Sequence, residues 1–175
     1  MSSRLGWFVL GIVAALVGMS AGAYLFIRAG GMPMDTSAKP LPLEKTIARM
    51  ALRASIGNAA TVKDPLPVDD ANMLAGADLF KEHCAVCHGL PGRPQSFISE
   101  GMFPSPPQLF EKDDMVTRHP EGVTYWKVSH GIRLSGMPAF GSNLSETQRW
   151  QIVNYVRTLA PKPGKKNQET KSGGK

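Results

Sequence analysis

The sequence predicts an all-α domain behind an N-terminal apolar segment, and three observations carry that expectation. Apolar residues recur at helical spacing in several separate segments. No stretch shows the alternation of period two that a half-buried strand requires. The proline-crowded middle, "GLPGRPQSFISEGMFPSPPQLFEKDD", has no period at all, so an ordered loop of that length needs something large to pack on.

The elements follow in chain order. Leu5 to Ile27 carries no charge and is bracketed by Arg4 and Arg28. As a helix it reaches about 34 Å at roughly 1.5 Å per residue, enough to span a bilayer core. Ala21-Gly22-Ala23 resembles a signal-peptidase site, but the residues after it, Tyr24 to Ile27, are still apolar, which favours an uncleaved anchor over residues 1–29. Gly11, Ala15, Gly18 and Gly22 line one face, a small-residue stripe suited to a partner's membrane helix. Residues 30–70 read as a semi-rigid tether, broken by Pro33, Pro40, Pro42, Pro65 and Pro67. Within it Leu43, Ile47, Met50 and Ala54 predict a short helix stopping at Gly57.

The globular domain is expected over residues 71–161. "DDANMLAGADLFKEHC" is a helix with an acidic start and an apolar side of Leu74, Ala77, Leu79 and Phe80. Gly76 in its middle costs about 1 kcal/mol against alanine, which close contact with another helix would explain. "TYWKVSHG" predicts a helix from Thr124 to Gly131. "LSETQRWQIVNYVRTLA" predicts the last helix, with Ser145 and Gln148 forming a capping box and Pro161 ending it. Residues 162–175 form a basic tail with no apolar anchor and are expected to be disordered.

Charge narrows the function. The net charge is +6, yet from Gly30 to Pro161 basic and acidic side chains balance at 13 each. The excess lies at the two ends, so the body lacks the basic face a nucleic-acid-binding protein requires, and no nucleic-acid partner is expected.

Chemistry concentrates in "HCAVCHG", which holds the only two cysteines, Cys84 and Cys87. A redox dithiol should follow a strand in a βαβ pattern, and here a helix precedes Cys84. Zinc would need His119 or His130 to join Cys84, Cys87 and His88, a poor match to finger spacings. C-x-x-C-H fits haem without additions: two thiols bond the vinyl groups and the adjacent imidazole turns to the iron. For the iron's other face the candidates are Met102, Met115, Met137, His119 and His130. "SGMPAFG" offers an irregular loop fixed by Gly136 and Pro138, although Met102 in "EGMFPS" has similar neighbours. Arg93, Trp126 and Arg133 are candidate partners for the propionates.

At these residues the chain resembles the class I c-type cytochromes, over about Ala71 to Leu159. "AGADLFKEHCAVCHG" is similar to the family's first helix and haem-attachment motif. "HGIRLSGMPAFG" followed by "LSETQRWQIVNYVRTL" is similar to its distal methionine loop and C-terminal helix. The resemblance implies three to five helices around one haem c, held by thioethers to Cys84 and Cys87, with His88 as proximal and Met137 as distal ligand. It also implies that Gly76 and Phe80 meet Trp150 and Tyr155 where the terminal helices cross. The implied function is electron transfer without catalysis, between a membrane oxidoreductase and a terminal oxidase or reductase complex. The haem domain is then expected on the periplasmic or other extracytoplasmic side of the inner membrane. A gas sensor or small peroxidase with a displaceable Met137 is the alternative.

Overall fold

The computed structural model describes residues 2–93, 95–110 and 116–159. Met115, Pro161 and the basic tail over 162–175 lie outside the described residues. Among the described residues the chain is helical, and its one β feature is an isolated bridge between Ile132 and Met137. The chain divides into two compact units at Ala48–Arg49.

The first unit is dominated by α1, Ser2–Arg28. Within Arg4–Arg28 its most apolar 18-residue stretch has a mean hydropathy of 2.1, and the helix is long and apolar enough to cross a membrane. Gly11, Ala15, Gly18 and Gly22 meet nothing within this unit: Gly11, Gly18 and Gly22 have open space where a Cβ would stand, and Ala15 is exposed. Further on, α2 spans Glu44–Ile56 and continues across the division. The Glu44 carboxylate accepts from the Leu41 N–H at 2.8 Å, which ties the incoming chain to the helix start.

The second unit begins earlier than the sequence suggests. A 3-10 turn, Gly57–Thr61, follows α2 and packs on α6, Glu121–His130. A Cβ on Gly122 would stand 2.0 Å from the Ala59 carbonyl oxygen and 2.7 Å from that of Val62, so only glycine admits this approach. Glu121 reinforces it by pairing with Arg157, lying 3.7 Å from Lys63, and accepting from the Asp64 N–H at 3.3 Å. The C-terminal part of the expected tether is thus clamped to the globular unit, not extended away from it.

The core of this unit is the crossing of α3, Asp70–His83, with α7, Glu146–Thr158. Asp69 caps α3 by accepting from the Asn72 N–H. The capping box expected at Ser145 and Gln148 is present in both directions, at 3.2 Å and 2.9 Å. Gly76 is buried at the crossing: a Cβ there would stand 2.0 Å from the Gln151 carbonyl oxygen and 3.1 Å from Tyr155 Cβ. Phe80 packs its ring 5.4 Å from that of Tyr155 and 5.9 Å from that of Phe110.

Two details differ from the reading of the sequence. Leu74 is 67% exposed, because two positions before Gly76 places it nearly opposite the buried side of α3. Trp150 stacks on Tyr125 of α6, with centroids 4.1 Å apart and planes at 11°. α6 also starts three residues before Thr124, and it ends at Gly131 with φ of 67°. Phe80, Leu109, Val128, Leu144, Ile152 and Val156 form one buried cluster, to which α3, α6, α7 and the proline-rich loop all contribute.

Candidate haem-attachment site

The attachment motif sits on one tight turn. Cys84 closes α3, its N–H bonding the Phe80 carbonyl at 2.8 Å, and opens α4, Ala85–His88. The N–H groups of Cys87 and His88 both bond the Cys84 carbonyl, at 3.1 Å and 2.9 Å. A single helical turn therefore presents two thiols and an imidazole together. It ends at Gly89, whose φ of 79° suits glycine alone and whose missing Cβ admits the Gln108 amide oxygen.

The proline-rich loop holds this turn. The Gln108 amide donates to the Cys87 carbonyl at 3.0 Å, and the Leu109 N–H donates to that of His88 at 3.3 Å. His88 Nδ1 lies 2.9 Å from the Pro107 carbonyl oxygen. A carbonyl only accepts, so Nδ1 carries the proton and Nε2 keeps its lone pair for a metal. α5, Phe97–Glu100, packs against α4 and is tied there by the Ser96 hydroxyl, which donates to the Val86 carbonyl. Sequence reasoning missed Pro107 and Gln108. The tandem Pro106–Pro107 before an apolar pair was the signal that this loop is pinned.

The thiols do not resemble a reactive dithiol. Cys84 and Cys87 are not bonded to each other. Burial, with a smaller contribution from nearby Cys87, pushes the Cys84 thiol up to about 12. Redox cysteines have the opposite bias, toward the thiolate. Among the described residues no three His, Cys, Asp or Glu side chains form a group able to hold a metal, so neither His119 nor His130 joins Cys84, Cys87 and His88.

The loop bearing Met137 is fixed by its backbone. The Ile132 N–H bonds the Met137 carbonyl at 3.1 Å, and a Cβ on Gly131 would stand 2.6 Å from that oxygen. Met137 packs against the same buried cluster as Cys84. Met102 spans between the two sites: its sulfur lies 3.8 Å from Cys87 Sγ, and its methyl lies 2.7 Å from where a Gly136 Cβ would be. The attachment turn and the methionine loop thus face each other across one side chain. The remaining histidines are engaged elsewhere. His119 lies 3.2 Å from Lys127 Nζ, and His130 bonds the Trp126 carbonyl and stacks on that ring. Of the propionate candidates, Arg93 lines a cleft of about 210 Å³ together with His88, Leu90, Gln108 and Phe110. Trp126 instead lies under His130, and Arg133 is exposed.

These donors suit haem: a tautomer-fixed imidazole, two thiols on one turn, a thioether from a rigid loop, and an apolar cluster to receive the ring. This helical fold with a C-x-x-C-H turn is similar to the class I c-type cytochrome domain, a class that carries covalently bound haem c. More particularly, residues 71–156 match the family of cytochrome c oxidase, cbb3-type, subunit III. The cbb3-type cytochrome c oxidase subunit FixP of Sinorhizobium medicae (strain WSM419) is 33% identical over 98 residues, 51% of this chain and 30% of that protein. The chain thus covers about a third of that relative's length. Among solved structures, the Kuenenia stuttgartiensis reducing HAO-like protein complex Kustc0457/Kustc0458 aligns with a TM-score of 0.48 and 25% identity, over 55% of this chain and 47% of that one.

Proposed function

We propose that this protein is a membrane-anchored electron carrier with one haem c. Cys84 and Cys87 hold the haem by thioethers, His88 is the proximal ligand and Met137 the distal one. The observation that carries this reading is His88 Nδ1 against the Pro107 carbonyl at 2.9 Å, within the C-x-x-C-H turn. When bound, the haem supplies a one-electron Fe(III)/Fe(II) couple.

The chain's own residues do the rest. Pro107 orients the imidazole, Gln108 fixes the turn beneath it, and Leu109, Val128 and Ile152 exclude water. A neutral thioether from Met137 favours the reduced iron and raises the potential relative to a second histidine. His88 and Met137, if both held the iron, would let it change oxidation state without exchange of protein ligands. The anchor is residues 1–29 and the haem domain is 71–161, on the extracytoplasmic side where c-type haem attachment takes place. The partner is a membrane oxidoreductase or terminal oxidase complex, supported by the relative named as a cbb3 oxidase subunit. The small-residue face of Gly11, Ala15, Gly18 and Gly22 is the proposed contact with its membrane helices.

Exposure of the reduced holoprotein to carbon monoxide tests the carrier reading. The expected spectrum is unchanged, since Met137 would stay on the iron and leave carbon monoxide no place to bind. Ready formation of a carbonyl complex would instead make this a ligand-binding protein.

A further inference from the structure

A cleft of about 570 Å³ on the second unit lies outside the candidate haem-attachment site. It is lined by Tyr125, Ser129, His130, Gly141, Ser142 and Arg149, and by none of Cys84, Cys87, His88 and Met137. Arg149 is held firmly. Its guanidinium carbon lies 5.3 Å from the centre of the Tyr125 ring, which is itself stacked on buried Trp150. A Cβ on Gly141 would stand 2.9 Å from Arg149 Nη1, so the glycine makes room for the guanidinium.

Two polar groups in this cleft have no partner among the described residues. Arg149 Nε is buried without a hydrogen bond, and so is the hydroxyl of Ser129, a residue only 7% exposed. Leaving such groups unsatisfied costs about 1–3 kcal/mol each, more beside a charge. Among the described residues no acidic side chain lines the cleft to neutralise Arg149. His130 adds a ring whose Nδ1 is committed to the Trp126 carbonyl, so Nε2 is the nitrogen it can offer a ligand.

We propose that this cleft binds an oxyanion, a carboxylate or phosphate group, through Arg149 and Ser129. A guanidinium pre-oriented on an aromatic stack matches the fork of a carboxylate or phosphate with little further loss of side-chain freedom. The floor of the cleft also braces the methionine loop, since the N–H groups of Phe140 and Gly141 bond the Val128 and Ser129 carbonyls at 3.0 Å each. The inference does not depend on the haem assignment.

Thermal melting of the full chain in detergent, followed by far-UV circular dichroism, tests it. Inorganic phosphate and a short glutamate-rich peptide are each compared with chloride at matched ionic strength. A melting temperature that rises saturably with either probe supports the site, and which probe acts tells a free anion from a polypeptide carboxylate. Arg149→Gln is expected to weaken binding about tenfold or more, and Arg149→Lys to recover only part of it. No rise with either probe, or the same rise in Arg149→Gln, overturns the proposal.

Discussion

Replacing Gly76 by alanine is expected to lower stability by about 2–3 kcal/mol, which moves the melting temperature of a domain this size by on the order of 10 °C. Helix propensity alone would favour alanine by about 1 kcal/mol. Packing reverses the sign, because the new methyl would stand 2.0 Å from the Gln151 carbonyl oxygen. That obstacle is backbone, so no rotamer change relieves it, and α3 and α7 must move apart. The opened crossing would loosen Phe80 and Ile152, now 1% and 0% exposed, and with them the buried cluster on which Cys84 and Met137 pack. Leu74→Ala on the same helix is the control. Its side chain is exposed, and its effect is expected within about 0.5 kcal/mol. A calorimetric melt of both variants decides the matter, and equal behaviour would remove the crossing from its place as the core of the fold.

The second large effect is expected at Met137. Methionine-to-alanine substitution there should lower the reduction potential by about 0.1 V or more, within the roughly 0.8 V that axial ligation spans. It should also let carbon monoxide bind the reduced form. The loop itself should survive. It is held by the Ile132–Met137 bridge, the close approach of Gly131 to the Met137 carbonyl, and the Phe140 and Gly141 hydrogen bonds to α6, none of which needs the side chain. Met102→Ala is the informative companion, because that thioether also reaches the site. Potentiometric titration of the two variants should show the larger fall for Met137. A larger fall for Met102 would exchange their roles.

What the sequence made legible was local or forced. The capping box at Ser145 and Gln148 is a three-residue pattern with its own hydrogen bonds, and it forms as written. Gly76 was legible because a glycine inside a helix demands a close neighbour. Its nearest contact is the α7 backbone at Gln151, a carbonyl that no residue type announces. Contacts set by distant chain were harder. Gly122 admits the Ala59 and Val62 carbonyls across some sixty residues of sequence, and nothing near either segment announces the pairing. The same holds for the Pro107 carbonyl that fixes His88: a backbone oxygen carries no residue-type signal, and only the fold brings it to the ring. The Arg149 cleft was illegible for a related reason. It needs Tyr125 and Ser129, one helical turn apart on α6, to meet Gly141 and Arg149 from two later segments.

Covalency of the pigment is the most direct test of the claim beneath all of this. The full chain should be produced where c-type haem maturation operates, then extracted with acidified acetone. The account predicts that the colour stays with the polypeptide, and that a Cys84→Ala/Cys87→Ala double variant surrenders it to the solvent. Colour that leaves the unaltered chain, or a chain that never acquires any, would contradict it.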